Sequence, residues 1–312
     1  MKIAALILAA GQGTRMKSET PKVLHTVGGR PMLLRAVRTA ERSGAERLVV
    51  VVGHQAEAVA QALGGRAETV LQAEQLGTGH AVRQAADRLR GVCDIVLVTY
   101  ADMPLLRPET LQRLIEAKRA NAESCLAMLT VKLPDPHGFG RILRAADGSI
   151  AAIVEEAECT PEQRAISELN AGVYAFEAAW LWKALPRLQP KSKGEYYLTD
   201  LIEIAVQDGR RVVGIEASDP DEVIGVNTRV HLAEAEALLR RRINQQHMLN
   251  GVTLIDPATV YIEEDVEIGA DTVIYPNVQL RGRTRIGANC VLDSNTIITD
   301  SQIGDRCHIK AS

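Results

Sequence analysis

The C-terminal part of the chain repeats with a period of six residues. Aliphatic residues stand at every sixth position, and after a one-residue slip the series continues; its members are Ile262, Ile268, Ile274, Leu280, Ile286, Leu292, Ile298, Ile303 and Ile309. This period is typical of a parallel β-helix, in which each short face buries one aliphatic residue and stacked coils form the core. An ordinary all-β domain predicts a period of two instead. Residues 251–312 are therefore predicted to form a short left-handed hexapeptide-repeat β-helix.

The repeat pattern runs to the last residues, Ile309-Lys310-Ala311-Ser312. A solenoid normally ends with a capping element, because an uncovered last coil exposes its apolar stack. We therefore expect either a C-terminally truncated chain or a neighbouring subunit that covers the final coil.

The N-terminus has the pattern of a buried strand followed by an anion-binding loop. Ile3 to Leu8 is an uninterrupted apolar run, and the next residues contain Gly11, Gly13 and three cations, Arg15, Lys17 and Lys22. Glycines let successive main-chain amides converge on phosphate oxygens. The spacing fits neither a P-loop nor a dinucleotide fingerprint, since Met16 stands where the latter requires glycine. The glycines alone would also suit a simple turn, whereas the three cations favour a phosphate-binding loop.

Apolar runs alternate with amphipathic stretches up to about residue 225. The runs Arg47 to Gly53, Asp94 to Tyr100 and Ser124 to Val131 are typical of buried strands, and Pro31 to Ser43 and Pro108 to Arg119 of helices. This alternation predicts an α/β fold with a doubly wound, mostly parallel, Rossmann-like sheet. Ligands of such sheets bind beyond the carboxyl ends of the strands.

Two further segments complete the predicted organisation. Phe139 to Asn170 contains two extended runs about Asp147-Gly148, which indicates an antiparallel hairpin insertion. Thr228 to Asn250 has helical spacing and strong helix formers, so we expect a linker helix there. The predicted domains are an α/β domain over 1–227, the linker helix over 228–250 and the β-helix over 251–312.

Composition excludes several classes of protein. The 36 basic and 39 acidic residues give no global field for nucleic acid or a membrane surface, and no apolar run approaches the ~20 residues of a membrane span. The five cysteines are scattered, odd in number and without a CxxC pair, which argues against a zinc site or a disulfide frame and for a reducing cytoplasm. We read the apolar N-terminus as a strand rather than an export signal.

Taken together, the motifs resemble one family over essentially the whole chain. They are LAAGQGTRM with Pro21-Lys22, LQAEQLGTGHA (Leu71 to Ala81), YADMPL (Tyr100 to Leu105), GFGRI (Gly138 to Ile142), IVEE (Ile153 to Glu156), LNAGVY (Leu169 to Tyr174), GEYYLTD (Gly194 to Asp200) and GVNTR (Gly225 to Arg229). In this order, and followed by a hexapeptide β-helix, they resemble the bacterial bifunctional N-acetylglucosamine-1-phosphate uridylyltransferase/glucosamine-1-phosphate acetyltransferase, a cytoplasmic trimer that makes a peptidoglycan precursor.

The resemblance implies a nucleotide site on two loops. It assigns nucleotide contacts to Leu8, Ala9, Ala10, Gly11, Lys22, Gln72, Gly77 and Thr78. Gln72 suits a base reader because its amide offers both a donor and acceptors to the imide face of uracil. Without the resemblance, a solvated glutamine on a loop would be the simpler interpretation.

The resemblance also implies a metal site and a sugar site. Asp102 and Asn227 would hold Mg²⁺, which keeps most of its waters and takes its remaining oxygens from phosphates. Taken alone, Asp102 could as easily cap the next turn. The implied sugar-binding residues are Tyr100, Ala101, Asp102, Gly140, Glu155, Asn170 and Asn227. Ala101 stands where many family members have glycine, and Ala171 where threonine is common.

The implied activity is transfer of UMP from UTP to N-acetylglucosamine-1-phosphate. The sugar phosphate has a second pKa of about 6, so its attacking oxygen is already ionised and needs no general base. Arg15 and Lys22 are the candidate catalytic residues, because the difficulty is to bring two polyanions together for in-line attack. The later coils and tail that build the acetyl-transfer site in the family are missing from this sequence. We therefore expect no acetyltransferase activity, and a homotrimer formed through the β-helix.

Two alternatives remain open from the sequence. The LAAGQGTRM loop does not fix the sugar, so another sugar-1-phosphate such as glucose-1-phosphate is possible as the acceptor. A non-catalytic scaffold subunit with the same fold is the second alternative, against which the joint presence of Arg15, Lys22, Asp102 and Asn227 argues.

Overall fold

The computed structural model of the chain describes residues 1–133, 136, 138–191 and 194–310. These residues group into two compact units, of which the first contains 1–25 and 32–227. The second contains 26–31 together with the part of the chain from Thr228 onward. The predicted division placed 26–31 in the first domain, and nothing in the sequence marked this segment as belonging elsewhere.

The strands of the region that ends at residue 216 are β1 (Ile3–Ala9), β2 (Thr26–Val27), β3 (Arg30–Pro31), β4 (Arg47–Val52), β5 (Glu68–Leu71), β6 (Ile95–Tyr100), β7 (Ser124–Lys132), β8 (Arg141–Arg144), β9 (Ile150–Val154), β10 (Glu168–Glu177) and β11 (Arg211–Glu216). The helices of the chain are α1 (Met32–Arg42), α2 (Ala56–Leu63), α3 (Thr78–Gln84), α4 (Ala86–Leu89), α5 (Pro108–Ala120), α6 (Pro161–Arg164), α7 (Ala178–Ala184), α8 (Leu201–Gln207) and α9 (Arg229–Leu249).

The first unit contains a mostly parallel sheet with the order β11-β7-β10-β6-β1-β4-β5. The pairs of β1 with β4 and β6, of β4 with β5 and of β7 with β11 are parallel, and β10 is antiparallel to β6 and β7. The predicted doubly wound α/β fold is therefore confirmed. The predicted hairpin about Asp147-Gly148 is formed by β8 and β9, which attach to the sheet through β10.

Helices cover both faces of this sheet. Residues of α1, α2 and α5 pack on one face with the odd-numbered side chains of β1, and residues of α3, α7 and α8 pack on the other with the even-numbered ones. All seven residues of β1 are buried. Burial on both faces explains why this strand is a continuous apolar run rather than an alternating one.

The second unit is built on short strands that stack in parallel. These are β12 (Thr253–Leu254), β13 (Tyr261–Ile262), β14 (Glu267–Ile268), β15 (Val273–Ile274), β16 (Gln279–Arg281), β17 (Arg285–Ile286), β18 (Val291–Leu292), β19 (Ile297–Thr299), β20 (Gln302–Ile303) and β21 (His308–Ile309). They form three sheets, β12-β15-β18-β21, β13-β16-β19 and β14-β17-β20, with every pair parallel. This is the predicted parallel β-helix.

Each coil contains three six-residue repeats. Ile274 pairs with Leu292 and Leu280 with Ile298, eighteen positions apart, and the slip shortens the next step, so that Ile286 pairs with Ile303. The structure also buries a second column that the aliphatic count missed, Val260, Val266, Thr272, Val278, Thr284 and Cys290. The two threonines fit inside because their hydroxyls donate to main-chain carbonyls, Thr272 to Gly287 and Thr284 to Arg281.

The segment of β2 and β3 forms a hairpin within the second unit. The main-chain amide of Gly28 donates to Glu236 on α9 (2.6 Å), and Arg30 pairs with Glu264 (2.8 Å) and Asp265. Two positive-φ glycines, Gly28 and Gly29, make its turn. The hairpin therefore takes its partners from residues more than two hundred positions later in the chain.

Among the described residues, no helix combines the length and apolar character needed to cross a membrane.

Candidate active site

The candidate site lies where the central parallel strands of the first unit end. β1, β5 and β6 are followed by loops that begin at Ala10, Gln72 and Ala101. Leu8 pairs with Tyr100 across β1 and β6, and its carbonyl accepts from the amide of Ala101 (3.0 Å). The loops predicted to carry the nucleotide contacts and the segment of Tyr100, Ala101 and Asp102 therefore share one sheet edge, as expected for a parallel sheet.

The loop after β1 is shaped by Gly13 and anchored by Met16. Gly13 has φ +64°, and a Cβ at this position would lie 2.6 Å from Cβ of Lys22. Met16 is buried at 1% exposure, whereas Arg15 and Lys17 on either side are exposed. The side chains of Leu8, Ala9 and Ala10 are buried, so this strand end can offer a ligand main-chain groups only.

Lys22 lies between the two predicted metal ligands. Its Nζ donates to Oδ2 of Asp102 (2.5 Å) and to Oδ1 of Asn227 (3.1 Å). The side chains of Lys22 and Asp102 are 12% and 20% exposed, so solvent screens the pair only in part. The amide of Val226 donates to the carbonyl of Asp102 (2.8 Å), and this bond brings Asn227 beside a residue 125 positions earlier. One catalytic candidate and both metal candidates thus meet at one point.

Arg15 does not join this cluster. Its side chain makes no hydrogen bond or ion pair with any of the residues that the structure describes. The same holds for Lys17, which has the same sign of charge and also lies on this loop. Arg15 is therefore a solvent-exposed cation that precedes Lys22 in the sequence. Its catalytic role stays a prediction.

Gln72 is held by the loop that follows β5. It is buried at 3% exposure, and its amide nitrogen donates to the carbonyl of Gly77 (3.1 Å). Gly77 has φ +92°, and a Cβ there would lie 2.7 Å from the carbonyl oxygen of Tyr196, so this position requires glycine. The hydroxyl of Thr78 accepts from the amide of Leu198 (3.0 Å). The three predicted base-reading residues therefore share one tightly packed loop.

Glu155 and Gly140 lie together in the inserted hairpin. A Cβ on Gly140 would lie 2.8 Å from Cγ2 of Ile153 and 3.6 Å from Oε2 of Glu155, so a larger residue would push into this wall. The hydroxyl of Thr199 donates to Oε1 of Glu155 (3.0 Å). Burial raises the pKa of Glu155, although the bond from Thr199 opposes this shift.

Asn170 stabilises a bulge in β10 opposite Tyr100. Its Oδ1 accepts from the amide of Gly172 (3.0 Å) and from the hydroxyl of Tyr174 (3.0 Å), and the register of β10 on β7 shifts here. Gly172 has φ +81°, and its missing Cβ leaves room for the ring of Tyr100, since a Cβ there would lie 3.1 Å from Cε2 of that ring. Burial, and then the carboxylates of Asp102 and Glu155, raise the pKa of Tyr100, so its phenol stays neutral at physiological pH.

Two residues with contacts in this site were missed in the sequence. Thr199, which binds Glu155, lies in the GEYYLTD motif, and His80, which contacts Gln72, lies in LGTGHA. Both motifs were recognised as a whole, but neither spacing nor residue type distinguished these two side chains from their neighbours.

Comparison with known proteins agrees with this geometry. The sequence profile of the MobA-like NTP transferase domain matches residues 5–172. In its fold, the chain is similar to a nucleotidyl transferase from Methanothermobacter thermautotroptrophicus, with a TM-score of 0.53 at 23% identity over 77% of this chain and 99% of that one. The family model and the fold together define a nucleotidyltransferase.

The curated relatives are more specific. The chain is 48% identical to the bifunctional protein GlmU of Trichlorobacter lovleyi, over 99% of this chain and 67% of the relative. The same protein of Geobacter sulfurreducens is 48% identical over 96% and 64%, and that of Clostridioides difficile 45% over 100% and 68%. The chain belongs to the bifunctional GlmU family, and it spans about two thirds of the length of these relatives. The family, the fold class and the enzyme class predicted from the sequence are thereby confirmed.

Proposed function

We propose that this chain transfers UMP from UTP to N-acetylglucosamine-1-phosphate, giving UDP-N-acetylglucosamine and pyrophosphate. The observation that carries the proposal is the convergence of Lys22, Asp102 and Asn227 at the carboxyl edge of the sheet, directly beside the glycine-rich loop. A cation held by oxygen ligands next to main-chain amides is what a triphosphate and a second phosphate require.

The residues present fit a divalent cation. Oδ2 of Asp102 and Oδ1 of Asn227 both lie within hydrogen-bonding distance of one positively charged atom, Nζ of Lys22, so the two oxygens already face a common point. No group of three or more His, Cys, Asp or Glu side chains among the described residues offers a metal site of another kind. We propose that Asp102 and Asn227 hold Mg²⁺, which when bound would neutralise charge on the phosphates of both substrates.

The chemistry then needs positioning more than proton transfer. An oxygen of the sugar phosphate attacks the α-phosphorus of UTP, and the bond from this phosphorus to the α,β-bridging oxygen breaks. The electron pair leaves on pyrophosphate. Lys22, which is held by Asp102 and Asn227, and Arg15, which is exposed on the same loop, stabilise the charge of the triphosphate and of the transition state. No described side chain has to remove a proton, because the attacking oxygen is already ionised.

The sugar would bind between the hairpin and β10. Glu155 and Asn170 offer a carboxylate and an amide there, and Tyr100 supplies a neutral phenol beside them. Gly140 lets this wall of the site close against Ile153 beside Glu155, because a Cβ there would lie 2.8 Å from Cγ2 of Ile153. Assembly as a homotrimer and a role in making a cell-wall precursor belong to the same proposal, since both come from the family resemblance.

The test measures pyrophosphate release with UTP and Mg²⁺, comparing N-acetylglucosamine-1-phosphate with glucose-1-phosphate at equal concentrations. We expect release with the first acceptor and at least tenfold lower kcat/KM with the second. Preference for glucose-1-phosphate would replace the proposed acceptor. No release with either acceptor would leave the scaffold alternative.

A further inference from the structure

The amide of Gln72 uses both of its hydrogens inside the protein. Its Nε2 lies 3.1 Å from the carbonyl oxygen of Gly77 and 3.1 Å from Nδ1 of His80. A carbonyl oxygen can only accept, so the NH₂ end of the amide is the end that faces Gly77. Its second hydrogen then serves Nδ1 of His80, which must be the ring nitrogen that carries no proton.

The opposite nitrogen of His80 completes this arrangement. Nε2 carries the ring proton when Nδ1 is the acceptor, and it lies 2.9 Å from the side-chain amide of Gln84. Gln84 is half-buried, and its amide nitrogen also donates to the main-chain carbonyl of His80 (3.2 Å), so this amide must give up that bond to turn its oxygen toward Nε2. The tautomer of His80 is therefore set by Gln72, whose amide is held by Gly77, and Gln84 adapts to it.

The surroundings of His80 favour the neutral ring. Burial and then the positive charge of Arg83 lower its pKa, while the main-chain carbonyl and the carboxylate of Glu74 act in the opposite direction. On its other side the ring packs near Tyr196, with 6.5 Å between ring centroids. A neutral His80 keeps Nδ1 available to the Gln72 amide at physiological pH.

The remaining polar atom of the Gln72 amide, its oxygen, is the one that would contact the nucleotide base. Oε1 of Gln72 has no hydrogen-bond partner within the ranges that the structure describes, and it can only accept. Uracil presents an N–H between its two carbonyls, whereas cytosine presents a bare nitrogen at the same place. An oxygen fixed at this point therefore attracts uracil and repels cytosine.

We propose that His80 is a positioning residue that sets the base specificity of this site by fixing which end of the Gln72 amide faces the nucleotide. The inference rests on the proposed uridylyl transfer and adds a residue that acts through Gln72 rather than on the substrate. Removal of the Nδ1 acceptor frees the amide to turn, and the turned amide offers NH₂ to the base.

Two substitutions at His80 separate this role from packing. His80→Leu keeps most of the bulk but removes the acceptor, while His80→Asn places a carbonyl oxygen close to the position of Nδ1. We expect the ratio of kcat/KM for UTP to that for CTP to fall roughly fivefold in His80→Leu, the effect of one lost hydrogen bond, mainly through a higher KM for UTP. In His80→Asn the ratio stays within about twofold of the wild type. A packing role alone would weaken both nucleotides equally.

The pH dependence of the same ratio gives a second readout. A proton on Nδ1 would face the NH₂ of Gln72, so the wild-type ratio should fall as the pH drops below the ordinary histidine pKa of 6.5, and not above it. Ionisation of the sugar phosphate cancels because both nucleotides are assayed with the same acceptor at the same pH. His80→Asn has no titrating ring here and should show a flat ratio, and His247→Leu on α9 serves as a control that keeps the wild-type profile.

The outcomes are distinct. If the wild-type chain releases no pyrophosphate with UTP, the proposed function and this inference both fail. If the wild type is active and His80→Leu, shown to be folded by circular dichroism, keeps the wild-type ratio, only the inference is overturned. A wild-type ratio that stays constant from pH 8 to pH 5 would overturn it as well.

Discussion

The two units of this chain form their cores in different ways. In the first, continuous apolar strands such as β1 are buried between helices on both faces, and each core residue has its own set of neighbours. In the second, one pair of inward positions recurs in every six-residue repeat, and each coil meets equivalent positions in the next. The proposed chemistry belongs to the first unit, where polar residues from distant segments converge.

The largest expected effect compares one core leucine from each unit. Leu97 on β6 and Leu280 on β16 are both fully buried, and Leu→Ala at either should lower the free energy of unfolding by about 2–5 kcal/mol. The two variants should differ in which strands lose protection from hydrogen exchange. Hydrogen exchange should rise in β1 and β10 for Leu97→Ala, but only in the adjacent β13 and β19 for Leu280→Ala, because a coil meets only its neighbours. Equal spread in both variants would contradict the distinction.

Substitution of Arg15 tests whether catalysis depends on this particular side chain or on the general positive charge of the loop. Arg15→Ala should lower the turnover of pyrophosphate release by about a hundredfold to a thousandfold, with little change in stability, since the side chain is exposed. Lys17→Ala is the matched control on the same loop, also exposed, and should stay within a few-fold of the wild type. Similar losses in both variants would mean that the loop contributes general positive charge instead.

Gly13 tests the backbone of the phosphate loop. Gly13→Ala puts a side chain at φ +64° and against Lys22, so we expect about 1–3 kcal/mol of destabilisation together with slower turnover. Gly11→Ala is the control, because a Cβ there has no atom within 4 Å, and its stability should change by less than about 0.5 kcal/mol. Urea unfolding measures both. Equal stabilities would show that this loop adapts without strain.

Glu155 gives a smaller effect that depends on pH. Burial makes its folded-state pKa higher than the unfolded value of about 4.5, so the folded state binds the proton more tightly and this carboxyl lowers stability as the pH rises through that range. Glu155→Gln removes the charge and should unfold at higher urea than the wild type at pH 8. The difference should shrink as the pH falls below 4.5, where the wild-type carboxyl becomes protonated in both states. A difference that does not change with pH would exclude the burial explanation.

The smallest effect lies in the β-helix. Corners of successive coils have positive φ at Asn277, Asn289, Asn295 and Arg306. Arginine tolerates this conformation less well than asparagine, so Arg306→Asn should raise the free energy of unfolding by about 1 kcal/mol. Arg283→Asn, at a residue without positive φ, should give no gain, and thermal unfolding measures both variants.

The difference between the two units also explains how much of each could be predicted from the sequence. The β-helix could be predicted by counting aliphatic residues, because its buried positions recur every six residues. The second buried column was missed because it contains the polar residues Thr272 and Thr284. The buried strands β1, β4, β6 and β7 follow from their apolar runs, whereas β5 and β11 have no such run and were not predicted. The meeting of Asn227 with Lys22 does not follow, because it depends on a main-chain bond from Val226 to Asp102 that no local pattern encodes. Only the family resemblance named Asn227, and nothing named His80.

The hairpin of residues 26–31 has a consequence for synthesis on the ribosome. Its partners Glu236 and Glu264 are made more than two hundred residues later, which corresponds to roughly 10–40 s of translation. During this time the hairpin lacks its ion pairs while the chain on both sides of it can already fold. The closing of so long a loop makes these contacts a late step. A fragment that ends near residue 227 would keep the hairpin but never supply its partners.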